Sequence, residues 1–458
     1  MIPRIVVAGT SSGAGKTSVA CGLIAALRGR GHVVQGFKVG PDYIDPGYHA
    51  LASGRPGRNL DAFLSGPELI APLARHGAAG AEIAVIEGVM GLFDGASGRG
   101  ELASTGHVAK LLRAPVLLVI DAASMARSAA AVVHGYRTFD PEVQIAGVVV
   151  NKVGSDHHVQ LLREAIEPLG VPVVGALRRD DRVAAPERHL GLVPAGEREQ
   201  RTRAAIDALG EAVLAHVDLD AVLALARAAP PLPGATWSPT GSLGDESPAA
   251  WPSATIAIAR GPAFSFHYEE NLELLRAAGA TLAPFDPLYD TALPDGAGAL
   301  ILAGGFPEVF GAQLSDNAAL REQVAAFARS GRPLLAECGG LLYLCEELDG
   351  MAMCGVLPAR GRMAGRLSIG YRDAVALSDS PLWVAGEAVR GHEFHYSAVE
   401  GRGAAAAWEL SARATTWPEG FVAGGVHGSY LHVHWAAFPQ AARRLAEAAA
   451  RQPSGAWA

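Results

Sequence analysis

Residues 4–17, RIVVAGTSSGAGKT, decide the fold of the first half of the chain. A short apolar run enters a glycine-rich segment that ends in Lys16 and Thr17. Glycines let backbone N–H groups turn towards phosphate oxygens, a lysine reaches the terminal phosphates, and a threonine hydroxyl can hold Mg²⁺. Five residues separate Gly9 from Gly15, whereas the common loop has about four. The segment therefore predicts a variant phosphate-binding loop between a strand and a helix.

The nucleotide is predicted from VVVNKVGSD, residues 148–156. This stretch resembles the Asn-Lys-x-Asp base-reading loop of GTPases, but Gly154 replaces the aspartate that would pair with guanine. ATP is therefore favoured, and Asn151 is a candidate either for an adenine contact or for a structural cap. The predicted ATP-binding residues are Gly9, Gly13, Gly15, Lys16, Thr17 and Asn151.

Two pairs of carboxylates follow the second and third predicted strands. KVGPDYIDPGYH, residues 38–49, carries Asp42 and Asp45, and IEGVMGLFDG, residues 86–95, carries Glu87 and Asp94. Carboxylates at neighbouring strand ends can bind Mg²⁺ and position a γ-phosphate, although each aspartate could instead cap a helix or form a turn. The predicted metal ligands are Thr17, Asp45, Glu87 and Asp94.

Further along the chain, to about residue 225, continuous apolar runs alternate with helical stretches. Strands buried on both faces of a parallel sheet have this pattern. In residues 226–252 this alternation disappears and proline, glycine and serine are frequent, which predicts a linker. Strand-like runs resume at 253. We therefore expect α/β domains at 1–225 and 253–450, with ligand sites at the carboxyl ends of their strands.

RPLLAECGGLLYLCEEL, residues 332–348, places Cys338 on a predicted strand-to-helix turn. Such a turn exposes a nucleophile, and a helix start lowers a thiol pKa, although a lone cysteine is more often a buried core residue. A base is needed, and the downstream histidines cannot be separated by pattern: His392, His395, His427, His432 and His434. Backbone N–H groups for an oxyanion hole are predicted at Gly304, Gly305 and Gly339.

Composition limits the class of protein. A net charge of −8 and a pI near 6.0 give no overall basic footprint for nucleic acid. No run reaches about 18 apolar residues, so no membrane span is expected, and the amino terminus enters a strand at once, which leaves no room for a signal peptide. Four cysteines in 458 residues do not form a disulfide framework, and a reducing cytoplasm is expected.

Taken together, the motifs resemble the cobyrinic acid a,c-diamide synthases, the corrin-amidating enzymes of cobalamin biosynthesis. The resemblance covers nearly the whole chain except the linker and rests on GTSSGAGKT (9–17), KVGPDYID (38–45), EGVMGLFDG (87–95), NKVGS (151–155), AGGFPE (303–308), AECGGLLYL (336–344), GHEFHYS (391–397) and SYLH (429–432). It implies a P-loop domain similar to dethiobiotin synthetase, followed by a flavodoxin-like class I glutamine amidotransferase domain.

The resemblance also implies roles for residues. Cys338 would attack glutamine and His432 would activate it. Glu87 and Asp94 would lie near Mg²⁺ and the acyl phosphate. Arg55 and Arg58 are further candidates for contacts with a polycarboxylate. The implied substrate and acyl-phosphate residues are Lys38, Asp42, Tyr43, Ile44, Asp45 and Arg127. Many amidotransferases complete a triad with His-x-Glu, but this chain has His434 in that place, which predicts a dyad unless another group orients His432.

The implied reaction is amidation of the a- and c-acetate carboxylates through acyl phosphates, with a corrinoid polycarboxylate, glutamine and ATP as partners and Mg²⁺ as cofactor. Neither nucleic acid nor a membrane is expected as a partner, and a homodimer is one option for assembly. Two alternatives remain: a diamide synthase acting on nickel-sirohydrochlorin, and a P-loop ATPase switch, which would leave residues 253–458 without a role.

Overall fold

The computed structural model describes residues 2–179, 199–244, 253–401 and 405–451. The chain divides into two compact units, Met1–Trp237 and Ser238–Ala458. Within the described residues, no helix combines the length and the apolar character needed to cross a membrane.

The first unit is an α/β layer structure. Its strands are β1 (Arg4–Gly9), β2 (Val34–Val39), β3 (Arg58–Leu60), β4 (Ile83–Glu87), β5 (Val116–Asp121), β6 (Ile145–Val153) and β7 (Val173–Arg178). Its helices are α1 (Lys16–Gly29), α2 (Ile44–Ser53), α3 (Pro67–Gly77), α4 (Thr105–Leu111), α5 (Ser128–Phe139), α6 (Asp156–Ile166), α7 (Glu199–His216) and α8 (Leu219–Arg227), with a 3-10 turn at Glu167–Leu169.

These strands form one sheet in the order β3-β2-β4-β1-β5-β6-β7, and every neighbouring pair is parallel. Strands β1, β2 and β4 are buried along their whole length because helices cover both faces of the sheet. This double burial explains the apolar runs of β1 and β4, whereas β2 also contains the buried polar side chains of Gln35 and Lys38. The carboxyl ends of β1, β2 and β4 lie side by side, and the phosphate-loop segment and the predicted carboxylates follow them.

The part of the predicted linker up to Trp237 packs on the first unit, and residues 238–244 belong to the second unit. Arg4 donates to the carbonyl of Pro230, and Arg75 donates to the carbonyl of Leu232. The buried Trp237 ring meets His76 edge-on at 4.9 Å. Proline-rich chain offers carbonyl acceptors without competing N–H donors, so the two arginines can hold this stretch against the unit. Residues 245–252 of the predicted linker lie outside the described residues.

The second unit contains two sheets. Its strands are β8 (Ala254–Ala259), β9 (Ala280–Phe285), β10 (Ala297–Leu302), β11 (Leu334–Glu337), β12 (Glu347–Leu348), β13 (Met351–Ala352), β14 (Ala359–Ala376), β15 (Ala388–Gly401), β16 (Trp408–Ala412), β17 (Thr415–Glu419), β18 (Phe421–Ala423), β19 (Val426–Ser429) and β20 (His432–Val433). Its helices are α9 (Pro239–Ser242), α10 (Glu269–Ala277), α11 (Gly311–Asp316), α12 (Ala318–Arg329), α13 (Gly339–Leu344) and α14 (Gln440–Ala450), with a 3-10 turn at Trp435–Ala437.

One sheet has the order β18-β19-β11-β10-β8-β9 and is parallel except for β18. The other is built around the long antiparallel pair β14–β15, with β12 and β13 on one side and β20 on the other. The α/β fold class predicted for both halves is confirmed. The largely antiparallel sheet is an addition, since the sequence predicted strand-like runs after residue 253 but no second sheet.

Candidate active site

Cys338 lies on a strained turn between β11 and α13. Its backbone has φ 49° and ψ −100°, a conformation that L-residues rarely adopt. Its N–H donates to the carbonyl of Ser429 at 2.7 Å, which ties the turn to the end of β19. A Cβ on Gly340 would lie 2.1 Å from the carbonyl oxygen of Leu302, so only glycine fits there. The turn thus has the geometry of a nucleophile elbow.

The three predicted oxyanion-hole glycines come together beside this turn. A Cβ on Gly339 would lie 3.0 Å from the backbone nitrogen of Gly305, and a Cβ on Gly304 would lie 2.6 Å from Cε1 of His432. A Cβ on Gly305 would clash with the carbonyl of Ala263. The absence of side chains therefore lets the backbone at Gly305 approach Gly339, and it leaves room for the imidazole of His432 beside Gly304.

His432 has an acidic neighbour that sequence reasoning missed. Its Nδ1 lies 3.3 Å from Oε2 of Glu337, the residue before Cys338. Its ring stacks on His392, with centroids 5.0 Å apart and planes inclined by 22°. The only available signal was position: Glu337 ends β11, the strand that carries the nucleophile.

The other candidate histidines have different surroundings. His395 bonds the carbonyl of Ser397 at 2.8 Å and stacks on Tyr430. His427 packs on Trp408, and burial lowers its pKa to about 4. His434 lies 3.4 Å from Glu270. Among the five, His432 is the one whose ring borders the glycine pocket in the described contacts.

The thiol pKa of Cys338 is raised, not lowered. Burial is the main cause, the carboxyl of Glu308 adds to it, and the N–H of Gly339 opposes it. The prediction that this pKa is lowered is therefore wrong. The N–H at the helix start does lower it, but desolvation and nearby acids raise it by more. Burial also raises the pKa of Glu308 to about 7. A thiol in this setting needs a base to remove its proton.

The phosphate loop has the predicted glycine conformations. Gly13 and Gly15 have φ of 79° and 99°. The Lys16 stem passes Gly9, where a Cβ would lie 2.9 Å from Lys16 Cγ, and its Nζ donates to the carbonyl of Ser11 at 2.9 Å. The lysine is thus folded back over the loop that it is predicted to serve.

Asn151 braces this loop. Its Nδ2 donates to the carbonyl of Ala14 at 3.0 Å, and its Oδ1 accepts from the N–H of Lys152 at 2.9 Å. A Cβ on Gly15 would lie 2.0 Å from Asn151 Nδ2, so the loop and the amide are in close contact. Of the two roles predicted for Asn151, these contacts favour the structural one.

A buried charge cluster lies beneath the loop. Lys38 Nζ contacts Asp45 at 2.6 Å and Glu87 at 2.8 Å. Glu87 is also contacted by His49 Nε2 at 2.7 Å and by the Thr17 hydroxyl at 2.6 Å. Burial would raise the pKa of Glu87, but Lys38 and His49 hold it below its ordinary range. Burial, then the charges of Asp42 and Glu87, raise the pKa of Asp45.

These contacts bear on the predicted Mg²⁺ ligands. In the structure the cation beside Asp45 and Glu87 is the Lys38 ammonium, which contacts both carboxylates. Thr17 is the second residue of α1, and Asp94 is exposed beside the loop, where its Oδ2 accepts from Gly91 N–H at 2.9 Å. The described residues form no cluster of three or more acidic, histidine or cysteine side chains suited to a metal. Mg²⁺ at a nucleotide site takes most ligands from phosphates and water, so Thr17 and Asp94 suffice for a fit.

The remaining predicted substrate residues are spread along the carboxyl edge. Asp42 Oδ1 accepts from the N–H groups of Ile44 and Asp45 at 2.7 and 3.0 Å. Asp42 therefore caps the start of α2, which is the alternative role that the sequence left open for it. Tyr43 and Ile44 are partly buried there, and Arg127 is exposed just before α5.

Arg55 and Arg58 serve the fold. The Arg55 guanidinium bonds Gln35 at 2.8 Å and the carbonyl of Ala79 at 2.8 Å. The side chain of Arg58 is buried in β3, and its stem lies against Gly77. Neither arginine is placed as a free cationic contact for substrate.

A phosphate loop on one parallel sheet and a nucleophile elbow on another define a class of protein, the glutamine amidotransferases joined to a nucleotide-binding domain. Family comparison agrees. Residues 5–193 match the CobQ/CobB/MinD/ParA nucleotide binding domain, and residues 255–440 match the CobB/CobQ-like glutamine amidotransferase domain.

Individual relatives identify a narrower family within this class. Hydrogenobyrinate a,c-diamide synthase of Streptomyces coelicolor is 56% identical, with 97% of each chain covered. The enzyme of the same name from Thermobifida fusca is 50% identical over 99% of this chain and 98% of its own. Cobyrinate a,c-diamide synthase of Syntrophotalea carbinolica is 45% identical over 97% and 98%. The chain belongs to the a,c-diamide synthase family, which confirms the resemblance seen in its motifs.

Proposed function

We propose that the protein uses ATP and glutamine to amidate the a- and c-acetate carboxylates of a cobyrinic acid in cobalamin biosynthesis. The observation that carries the proposal is the full-length similarity to a,c-diamide synthases. The elbow and the phosphate loop support it, because an amidation of this kind needs both sites. The names of these relatives do not favour nickel-sirohydrochlorin as substrate. The amidotransferase match over residues 255–440 argues against an ATPase switch.

The macrocycle is proposed to be the cobalt-free acid. Relatives named for hydrogenobyrinate are 50–56% identical to this chain, and relatives named for cobyrinate are 42–45% identical.

Dependence on ATP and glutamine also supports the predicted cytoplasmic location.

In the second unit, we assign the release of ammonia to Cys338. His432 removes the thiol proton, and Sγ attacks the side-chain carbonyl carbon of glutamine. The oxyanion that forms is stabilised by backbone N–H groups of the glycine pocket, Gly304, Gly305 and Gly339. The C–N bond breaks, ammonia leaves with the proton held by His432, and water hydrolyses the thioester to glutamate.

In the first unit, we assign activation of the carboxylate to the phosphate loop. A substrate carboxylate oxygen attacks the γ-phosphorus of ATP, and ADP leaves; ammonia then displaces phosphate from the acyl carbon and forms the amide. Lys16 would offset charge on the transferred group, with Lys38 beneath it. Mg²⁺, which Thr17 and Asp94 would hold together with the phosphates, supplies further charge neutralisation when bound.

A side-by-side assay tests the proposal. The purified protein, with glutamine and ATP-Mg²⁺, should convert hydrogenobyrinic acid to its a,c-diamide at a higher kcat/KM than cobyrinic acid, as followed by mass spectrometry. Faster turnover of the cobalt-containing acid would overturn the choice of macrocycle. Absence of a diamide from either acid would overturn the proposed function.

A further inference from the structure

The catalytic histidine lacks the acid that many amidotransferases place two residues later. Here that position is His434, and it belongs to a separate contact: its Nε2 lies 3.4 Å from Glu270, and its ring packs against Tyr268 with centroids 4.6 Å apart. Both side chains of the His434–Glu270 pair are only 1% exposed. His434 and Glu270 therefore form a pair of their own next to the catalytic strand.

A different carboxylate reaches His432. Strand β11 is parallel to β19, with Glu337 in register with Ser429, and His432 follows Ser429 by three residues. This register brings the last side chain of β11 to the imidazole, with Glu337 Oε2 3.3 Å from His432 Nδ1. The imidazole is fully buried and the Glu337 side chain is 13% exposed, so water screens the contact weakly.

The contact has a chemical consequence for the ring. A carboxylate that accepts from Nδ1–H fixes the tautomer in which Nε2 carries the lone pair. It also attracts the imidazolium that forms when Nε2 takes the thiol proton. The Glu337 charge disfavours the thiolate of Cys338 as well. The direct contact with the histidine makes the attraction the larger of the two effects, because Coulomb energy falls with distance.

We propose that Glu337 is the positioning carboxylate of the glutaminase site and completes a Cys338–His432–Glu337 triad in which the acid precedes the nucleophile in sequence. This inference rests on the proposed function, since it assumes that Cys338 and His432 hydrolyse glutamine. Glu337 acts through His432 and does not touch glutamine.

The test compares Glu337→Gln with Glu270→Gln, which alters the carboxylate of the neighbouring pair. Glutamate formation from glutamine is measured without corrin acid, and diamide formation is measured with ammonia as the nitrogen source. Glu337→Gln should lower the glutaminase kcat about 10- to 100-fold with a KM within about twofold of the parent, the size seen when the partner that orients a metal-bound histidine is removed. The acidic limb of its glutaminase pH profile should move to lower pH, because the imidazolium loses its counter-charge. Ammonia-dependent synthesis should be unchanged.

Glu270→Gln should keep the parental pH profile. A parental kcat and profile for Glu337→Gln, or the predicted effects appearing in Glu270→Gln instead, would overturn the assignment. If the urea or thermal unfolding midpoint of Glu337→Gln falls below that of the parent, its fold is damaged and Glu337→Asp decides. That variant keeps the charge and should recover part of the glutaminase kcat; an Asp variant with a parental unfolding midpoint but no recovered kcat contradicts the role. Absence of glutaminase activity in the parent would instead refute the proposed function.

Discussion

At the scale of single residues, the buried Lys38 shows what sequence can and cannot predict. The family resemblance marked Lys38, near the end of β2, as a site residue, and Asp45 is close to it in sequence. The contact with Glu87, 49 residues away, arises from the pairing of β2 with β4, where Lys38 and Glu87 are in register. That register depends on strand order, which no local pattern carries, so the charge cluster beneath the loop was not predicted.

Removing the lysine charge should destabilise the first unit. Lys38→Met leaves the carboxylates of Glu87 and Asp45 buried without their ammonium, which should cost about 3–5 kcal/mol of unfolding free energy at pH 8. The loss should shrink towards pH 5, where the two acids can take up protons. Urea unfolding followed by tryptophan fluorescence and circular dichroism measures both effects.

Lys110→Met is the matched control. Lys110 contacts Glu101 and Asp140, and the three side chains are 17%, 54% and 19% exposed, against 2% for Lys38 and 0% for Glu87. Solvent reaches both of the Lys110 ion pairs, so their loss should cost about 1 kcal/mol or less. Equal losses in the two variants would mean that burial of the Lys38 cluster does not decide its energy.

At the scale of elements, one partly buried acid, Glu419, holds the segment that leads to His432. Glu419, at the end of β17, accepts from the Ser429 hydroxyl at 2.6 Å and from the Tyr430 N–H at 2.8 Å. Burial raises its pKa from an ordinary 4.5 to about 7, and the two hydrogen bonds oppose the rise. Between these pH values the folded chain keeps a proton that the unfolded chain has lost, so Glu419 makes stability fall as pH rises.

Glu419→Gln should remove this dependence. Relative to the parent, the variant should gain about 1–3 kcal/mol between pH 5 and pH 8. Thermal or urea midpoints at the two pH values measure the difference, and the other titrating groups cancel because both proteins contain them. Glu409→Gln, on the exposed side of β16, is the control and should track the parent. A Glu419→Gln variant that also tracks the parent would show that Glu419 is ionised in the fold.

The phosphate loop offers a second test at this scale. If Asn151 braces the loop through Ala14, Asn151→Ala should weaken ATP and GTP by the same factor, about fivefold to tenfold for one hydrogen bond. If Asn151 contacts adenine instead, ATP should weaken and GTP should not. Competition binding of both nucleotides measures the ratio, with Gln160→Ala on the exposed surface of α6 as control.

A strand could be predicted where its own sequence identifies it, without reference to the strands that pair with it. Most of the parallel strands are apolar runs, for example β5 and β10, and the turns after β1 and β11 are marked by glycine beside a reactive side chain. The pair β14–β15 is different, because its strands are only partly buried and mix polar with apolar residues. GHEFHYS lies in β15, and its link to the site, His392 beside His432, depends on the pairing with β20.

At the scale of the whole molecule, the proposed function combines two chemistries, each assigned to the carboxyl edge of a largely parallel sheet. Activation of a carboxylate needs phosphate contacts, and release of ammonia needs a thiol and a base. The residues proposed for each reaction lie in different units, Lys16 in the first and Cys338 in the second. A division of this kind predicts that the two reactions can be removed separately.

Lys16→Ala and Cys338→Ala should therefore fail in different ways. Without the Lys16 ammonium, charge on the transferred phosphoryl group is poorly offset, so diamide formation should be lost with glutamine and with ammonia alike, while glutamate release persists. Without the Cys338 thiol no thioester can form, so glutamine should no longer support diamide synthesis. Ammonia should still support it near the parental rate. Mass spectrometry of the corrin product and a glutamate assay separate these outcomes. Loss of ammonia-dependent synthesis in a folded Cys338→Ala protein would contradict the division, because free ammonia needs only the acyl phosphate made in the first unit.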